Sequence, residues 1–326
     1  MDTGLSNTEF SAWDAFVAAA GGSFLQTSAW AQFQERLGRK TVRVFREQMK
    51  RNERMACGFS GMRHKFPIGS YLYIPRGPLH LGDTEIIGEV IDSALEYAGN
   101  ERMTFVRVDP APGTRKALAE RGFRDIGRAV QPKRNLIVEL GGAEEELRGR
   151  MHAKTRYNIG VAKRYNVVVE RKDDISKQDA RTFVAIMEET ARRQKIKIYG
   201  SDYYEIMLRA LSGSGGALFI ASFKEVVQAA AFVIFFSGRA TYVHGGSFQT
   251  HKETMAPHAL HWAIMQDAKA RGCNEYDIGG VDDTRWPGLT RFKRGFGGKE
   301  EVYENAMDAP VSAIRYAMYA GIKRFL

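Results

Sequence analysis

The chain has 326 residues, of which 44% are hydrophobic and 11% aromatic, as expected for a globular protein of two domains. Its only cysteines, Cys57 and Cys273, lie far apart and outside any Cys-x-x-Cys spacing, which argues against disulfides and zinc, so we expect no metal. The formal charge of +10 indicates polyanionic partners such as nucleic acid, nucleotide phosphates or an anionic membrane surface. A merely soluble basic surface is the alternative.

The first half is predicted to alternate helices with strands. Helices are expected at residues 8–20, at 28–37 and, after a cap at Asp83-Thr84, at 86–98, with strands at 41–45, 55–62, 70–74 and 104–108. The strand at 104–108 ends abruptly at Asp109-Pro110. A short helix and a strand pair between residues 124 and 140 are expected to follow.

The second half is predicted to repeat this order. A basic helix at 144–164 and helices at 176–194 and 201–211 precede strands at 217–223, 226–236 and 240–245. A helix with Pro257 in its first turn leads to a strand at 275–279, so strand, helix and strand recur after roughly 170 residues. The pattern predicts an α/β chain made of two copies of one unit, with helices on mixed sheets and ligand sites beyond the strand ends.

Residues 276–299 stand out because a strand breaks at Gly279-Gly280 and a basic, glycine-punctuated segment follows. Between Arg285 and Lys299 there are five cations and no acid, which suits an anionic ligand or a developing negative charge. A solvated basic loop is the alternative.

The N-terminus has no features of a signal peptide and no run is long enough to span a bilayer, so we expect a cytoplasmic protein. Residues 311–326 place Ile314, Met318 and Ile322 among basic residues. This pattern favours a terminal helix packed on the body of the protein. Peripheral contact with the inner face of the membrane is the alternative.

Five motifs, in this order, resemble the FemABX family of aminoacyl-tRNA-dependent peptidyltransferases, which build the interpeptide bridges of bacterial peptidoglycan. They are Tyr71-Leu-Tyr-Ile-Pro-Arg-Gly-Pro78, Val106-Arg-Val-Asp-Pro110, Lys154-Thr-Arg-Tyr-Asn158, Tyr276-Asp-Ile-Gly-Gly280 and Arg291-Phe-Lys-Arg-Gly-Phe-Gly-Gly298. The resemblance extends from about Trp30 to Tyr303 and is most specific in the last motif.

The resemblance implies two tandem GNAT-like acyltransferase domains, with mixed sheets flanked by helices. The first domain is expected at residues 1–142, completed by residues 305–326, and the second at 143–304. Since residues 176–211 carry only two short helices and no heptad run, the chain is similar to the compact FemX-type members, which have no coiled-coil insertion.

The implied reaction is attack by an amine of a peptidoglycan stem peptide on the ester of an aminoacyl-tRNA. The implied partners are aminoacyl-tRNA and a lipid-linked or UDP-linked muropeptide, with no cofactor. Lys293 matches the lysine to which charge stabilisation in the transition state is attributed, Phe292 would shape its pocket, and Asp109 could orient or deprotonate the amine. An exposed lysine on a basic helix and an Asp-Pro turn are the structural alternatives.

Further candidate substrate-binding residues are Arg76, Lys154, Arg156, Tyr157, Tyr242, His244, Gly279, Gly280 and Arg291. For Lys154, Arg156, Tyr157 and Arg291 a solvated surface is the alternative, and for Arg76 the alternative to phosphate binding is buttressing of its turn. Lone histidines such as His244 and His258 are more often structural. The diphosphate-binding lysine and arginine of members that use a nucleotide-linked precursor have no match here: Gln32 and Ile198-Tyr199 stand nearest. A lipid-linked precursor, or another amine acceptor, is therefore the alternative to a nucleotide-linked one.

Two other functions compete with this interpretation. The first is another enzyme on the same scaffold, such as an acyl-CoA-dependent N-acyltransferase or a tRNA-dependent peptide ligase. A coenzyme A site would need an Arg/Gln-x-x-Gly-x-Gly/Ala loop that opens a helix and cradles the pyrophosphate. Neither half has a clean one, which argues against the acyl-CoA enzyme. The second is a non-catalytic RNA-binding module, which would leave the paired strand ends unexplained.

Overall fold

The computed structural model of the chain describes residues 7–50, 53–82 and 86–323, so the cap predicted at Asp83-Thr84 lies outside the described residues. The helices are α1 (Asn7–Ala19), α2 (Ser28–Arg36), α3 (Ile87–Asn100), α4 (Arg115–Glu120), α5 (Glu144–Gly149), α6 (Ala153–Arg164), α7 (Lys177–Gln194), α8 (Ser201–Leu211), α9 (Ala256–Ala270), α10 (Pro287–Arg294) and α11 (Ala313–Lys323). None of these described helices combines the length and apolar character needed to cross a membrane.

The predicted strands are present in their expected order and are mostly longer than expected. Four further strands, at residues 79–81, 168–172, 299–302 and 307–310, were not predicted. The described strands are β1 (Thr41–Lys50), β2 (Glu53–Phe66), β3 (Gly69–Gly77), β4 (Leu79–Leu81), β5 (Phe105–Pro110), β6 (Arg124–Asp125), β7 (Arg134–Glu139), β8 (Val168–Lys172), β9 (Gly216–Phe223), β10 (Val226–Phe236), β11 (Arg239–Ser247), β12 (Glu275–Gly280), β13 (Lys299–Val302) and β14 (Met307–Pro310).

Two compact units divide the chain. The first is built from the segment up to Lys133 and from Tyr303 onward, and the second from Arg134–Val302. The predicted boundary at residues 142 and 143 is therefore displaced, because β7 pairs with β12 and β13 of the second unit. The second crossing lies at residues 302 and 303 instead of 304 and 305.

Each unit contains one mixed sheet of seven strands. The first sheet has the order β1-β2-β3-β5-β14-β6, with β4 on β2, and among its described pairings only β3–β5 is parallel. The second has the order β13-β7-β12-β11-β10-β9-β8, and only its β11–β12 pairing is parallel. In both units the parallel pair is joined by one crossover helix, α3 or α9, which is what a parallel connection requires.

The two crossover helices are held by their apolar faces. Ile87, Val90, Ile91 and Ala94 of α3 lie in the core of the first unit, at helical spacing. Leu260, Ile264 and Ala268 do the same for α9 in the second unit. Each helix leads into a strand that lies between one parallel and one antiparallel neighbour, so β5 and β12 occupy corresponding positions in their sheets.

Two local predictions were wrong. The strand pair expected between residues 124 and 140 does not form, since β6 pairs with β14 in the first sheet while β7 belongs to the second. The basic helix expected at 144–164 is two helices, α5 and α6, because His152 is extended (φ −58°, ψ 143°) and donates its backbone N–H to the Gly295 carbonyl at 2.9 Å.

Candidate functional site

The candidate site of the second unit lies where β11 and β12 separate. Their parallel pairing stops at Thr241 and Asp277, after which β11 continues beside β10 and β12 turns away at Gly279. Gly279 adopts φ +86°, and a Cβ there would lie 3.1 Å from Lys293 Nζ. Glycine is therefore required at this strand end both for its left-handed backbone and for the close approach of the lysine.

Lys293 is a buried lysine and not the exposed one of the structural alternative. Helix α10 starts at Pro287 and carries the side chain inward, leaving it 5% exposed. Its Nζ donates to the Gly280 carbonyl at 2.8 Å and lies 5.6 Å from the centre of the Tyr242 ring. Burial lowers the pKa of Lys293 to about 8, opposed by the charge of Asp277. The side chain is therefore a mostly charged, poorly solvated ammonium group at neutral pH.

Asp277 organises the turn that receives this lysine. One carboxylate oxygen accepts the Gly279 N–H and the other accepts the Asn135 amide, each at 2.8 Å. Burial raises the pKa of Asp277 above its ordinary value, opposed by the hydrogen bonds from Asn135 and the Gly279 N–H. The motif analysis missed this role, although an aspartate two residues before a glycine is the spacing of an Asx-turn.

A cluster of aromatic and histidine side chains packs on Phe292, the residue before Lys293. Phe292 contacts both His258 and His261, with ring centres 5.0 and 5.4 Å apart, and His261 Nδ1 lies 2.7 Å from the Tyr276 hydroxyl. Burial lowers the pKa of His258 to about 4 and that of His261 to about 3, so neither carries a charge at neutral pH. His261 gave no signal in the sequence because a buried polar residue on a helix face follows no periodicity.

His244 and Tyr242 occupy different surroundings on β11. His244 lies among Tyr199, Tyr203 and Tyr204, with ring centres 5.3 to 5.9 Å away, and burial lowers its pKa to about 4. The rings of Tyr199, which is exposed, and Tyr203, which is half-buried, are stacked with their centres 3.9 Å apart. Tyr242, by contrast, lies against His261 at 5.2 Å and beside Lys293. Only Tyr242 of this pair joins the lysine site.

The five cations of residues 285–299 are not equivalent. Arg294 pairs bidentately with Asp283 at 2.6 and 2.7 Å and also binds Glu300, while Lys299 pairs with Glu139 at 3.0 Å. Arg285 and Arg291 remain exposed to solvent. The segment thus has one buried cation, two surface cations in ion pairs and two exposed arginines, a difference that the count of charges alone did not indicate.

The exposed face of α6 carries the candidate binding residues Lys154, Arg156 and Tyr157, whereas Thr155 and Asn158 between and beside them are buried. Arg156 also caps the preceding turn by donating to the Met151 carbonyl. Tyr157 is 64% exposed, with the Arg164 guanidinium 5.4 Å from its ring centre. The helix therefore presents a basic surface with an accessible aromatic ring.

In the first unit, Asp109 lies at the end of β5 and is 1% exposed. The Tyr73 hydroxyl donates to it, and Gln131 donates to that hydroxyl at 3.1 Å. Burial raises the pKa of Asp109 above its ordinary value. Its carboxylate is thus engaged inside the first unit, while Lys293, Tyr242 and the strand-end glycines belong to the second.

Arg76 takes part in local packing of the first unit. Its backbone is left-handed (φ +50°), its guanidinium lies 3.3 Å from the Tyr303 ring centre, and it donates to the Pro132 carbonyl at 2.9 Å. These contacts tie the end of β3 to both chain crossings near residues 132 and 303. This is the buttressing role that the sequence left as an alternative to phosphate binding.

Comparison with known proteins identifies the family to which this architecture is similar. The FemAB family model matches residues 5–123, 121–223 and 217–324. A relative from Staphylococcus aureus named lipid II:glycine glycyltransferase is 22% identical over 371 aligned residues, covering 87% of each chain.

Solved structures support the same fold. The crystal structure of FemX matches with a TM-score of 0.83 at 19% identity, covering 98% of this chain and 99% of that one. A tandem GNAT protein from the clavulanic acid biosynthesis pathway matches with a TM-score of 0.56 at 12% identity, covering 94% and 96%. The predicted fold of two GNAT-like units is confirmed.

The family match extends over nearly the whole chain, including the strand-end glycines and the helix that buries Lys293. The chain therefore belongs to the FemAB family, and it is a transferase.

Proposed function

We propose that this chain transfers an amino acid from aminoacyl-tRNA to an amine of the stem peptide of a peptidoglycan precursor. The observation that carries the proposal is the buried ammonium of Lys293, held against the Gly280 carbonyl where β11 and β12 separate. Such a group stabilises negative charge strongly because little water competes with it. The activity named for the S. aureus relative supports the acceptor, and its name favours a lipid-linked one.

The proposed chemistry is direct aminolysis. The amine nitrogen forms a bond to the ester carbonyl carbon, whose oxygen becomes negative, and the carbon–oxygen bond to the tRNA ribose then breaks. The amine loses one proton and the ribose hydroxyl gains one, so no oxidant, metal or nucleotide is consumed. Lys293 stabilises the oxyanion, Tyr242 and Phe292 keep the ammonium poorly solvated, and Gly279 lets the reacting groups approach.

The tRNA is assigned to the exposed basic face of α6. Lys154 and Arg156 suit phosphate contacts, and the accessible ring of Tyr157 suits stacking on an unpaired base. Asp109 remains a proposed acceptor-orienting group, acting through the hydrogen bond with Tyr73. Arg291, exposed on α10, is proposed to contact substrate as well.

A second candidate is an N-acyltransferase using acyl-coenzyme A, favoured by the likeness to a tandem GNAT protein. No described helix opens directly after an Arg/Gln-x-x-Gly-x-Gly/Ala loop, the arrangement expected to bind pyrophosphate, which makes this candidate the weaker one.

The test offers the purified protein a mixture of charged tRNAs together with a lipid-linked and a nucleotide-linked muropeptide, and follows amide formation by mass spectrometry. We expect one added aminoacyl group that depends on charged tRNA and is lost in Lys293→Met. Parallel reactions contain acetyl-coenzyme A in place of tRNA. Transfer from the coenzyme alone, or undiminished transfer by Lys293→Met, would contradict the proposal.

A further inference from the structure

Helix α11 has an inner face that is well packed. Tyr316 and Tyr319 lie against Phe105, with ring centres 5.2 and 4.8 Å away, and Tyr319 also contacts Phe66 at 4.9 Å. The Tyr316 hydroxyl donates to the buried carboxylate of Asp308 at 2.9 Å. These contacts fix which side of the helix faces solvent.

The outer face of α11 is also apolar. Its exposed residues are Ala313, Ile314, Ala317, Met318 and Ala320. Ile314 is 78% and Met318 53% exposed, one helical turn apart on the same side. A surface helix normally turns charged residues to water, and one that is apolar all round is normally buried. Single exposed apolar residues need no explanation, but a whole helix face does.

The turn between β2 and β3 extends this face. Pro67 and Ile68 are exposed in that turn, directly after Phe66, which packs on Tyr319 of the helix. We call these two residues and the five exposed residues of α11 the α11 apolar surface. It lies entirely within the first unit.

The segments that contact α11 carry an excess of cations. Their cations are Arg63, Lys65, Arg102 and Arg107, and α11 itself adds Arg315, which donates to the Arg102 carbonyl. Their acids, Glu101 and Asp308, are both ion-paired: Glu101 with Lys40 at 2.7 Å and Arg63 at 3.4 Å, and Asp308 with Arg107 at 2.6 Å. Lys65 and Arg102 are exposed beside the apolar surface, and the helix ends at Lys323, which Arg324 follows in the sequence.

We propose that the α11 apolar surface docks on an anionic lipid bilayer. Ile314, Met318 and Ile68 would enter the boundary between headgroups and acyl chains, while Lys65 and Arg102 contact lipid phosphates. A second copy of this chain is a poorer occupant, since it would bring the same cations face to face. The evidence for docking is the apolar surface and the cations beside it. The docking deepens the proposed function and rests on it for its purpose, because a lipid-linked acceptor is held at such a surface.

The experiment is co-sedimentation with vesicles of phosphatidylcholine alone or mixed equally with phosphatidylglycerol. We expect binding to the anionic vesicles that weakens with added salt, and Ile314→Glu/Met318→Glu to bind about tenfold more weakly. The matched control, Val168→Glu/Val226→Glu, adds the same charge at residues 58% and 51% exposed in the second unit and should bind like the wild type. Lys65→Gln/Arg102→Gln should lose only the preference for phosphatidylglycerol.

Equal binding by the α11 pair and its control would overturn the proposal. So would light scattering that shows a wild-type dimer abolished by the α11 pair, with vesicle binding unchanged. Thermal unfolding checks that the α11 pair still folds, and the milder Met318→Gln serves if it does not. Transfer to a detergent-dispersed acceptor separates the two proposals: intact transfer without vesicle binding removes only the docking, and vesicle binding without transfer removes only the function.

Discussion

Lys293 is held charged in a place that disfavours charge. Its pKa falls from 10.5 to about 8, a difference of about 3 kcal/mol between its two protonation states. Since an unfolded lysine binds its proton more tightly, stability attributable to this group rises with pH between the two pKa values and is reduced at neutral pH. A buried cation that costs stability is the pattern expected of a residue retained for chemistry.

We therefore predict that the free energy of unfolding of Lys293→Met at pH 7 is equal to that of the wild type or higher by up to about 3 kcal/mol. The variant should lose most of its turnover. Urea unfolding monitored by circular dichroism measures the stability, and single-turnover transfer measures the activity. Arg291→Met, which removes an exposed charge from the same helix, is the control and should change stability little. A destabilised Lys293→Met variant would mean that the ammonium serves packing.

The negative charge of Asp277 raises the pKa of Lys293, so removing that charge should lower the pKa of the lysine. The cationic form of Lys293 is present below its pKa of about 8 and is lost above it, which predicts an alkaline limb of kcat/KM there. Asp277→Asn removes the opposing charge and should move this limb to lower pH. Asn135→Ala removes the hydrogen bond but leaves the charge, and should leave the limb in place. Identical profiles for all three proteins would contradict the coupling.

At this scale the sequence identified the lysine through a motif but could not reveal its burial. The carbonyl of Gly280 and the ring of Tyr242 reach Lys293 only because β12, α10 and β11 converge in space. His261 and Asn135 were missed for the same reason, since each acts through a partner that is distant along the chain.

Strand β14 and helix α11 are fastened to the first sheet by a buried ion pair. Arg107 on β5 binds Asp308 on β14 bidentately at 2.7 and 2.6 Å, with both side chains less than 5% exposed. Asp308→Asn leaves a buried guanidinium without its countercharge and should destabilise the protein by about 3–5 kcal/mol.

Glu304→Gln is the matched control, because its pair with Arg115 is 42% and 38% exposed and should contribute less than about 1 kcal/mol. Thermal unfolding compares the two variants. Similar losses in both would show that the buried pair is no more important than the surface one.

We predict that the basic face of α6 contributes to the affinity for tRNA. Lys154→Glu should weaken tRNA binding and reduce its dependence on salt, because a phosphate contact releases counterions. Lys116→Glu on α4, where the side chain is 90% exposed, makes the same charge change in the other unit and should have little effect. Filter binding at two salt concentrations measures both, and equal effects would assign the binding to net charge alone.

Periodicity predicted most elements because the crossover helices and their strands carry strong apolar patterns. It failed at β6 and β7, whose partners are β14, β12 and β13, since pairing over long distances leaves no trace in local sequence. The break between α5 and α6 was missed although Gly149 is the last residue of α5, because a single glycine within a helical pattern does not by itself end a helix.

At the scale of the whole molecule, the repeat of strand, helix and strand was visible in the sequence, whereas the return of the chain to the first unit was implied only by the family resemblance. The return is made by β14, which pairs with β5 on one side and β6 on the other. The second unit, in contrast, is one continuous segment with a core of its own.

This difference predicts unequal effects of shortening the chain. Removing residues 303–326 takes away β14 and the countercharge of Arg107, so the first unit should lose protection from hydrogen exchange. Residues 134–302 keep every strand of their sheet and should stay protected, because each pairing of that sheet joins residues within the segment. Hydrogen exchange read by mass spectrometry on peptides from both units measures this. A uniform loss of protection would mean that the second unit depends on the first for its stability.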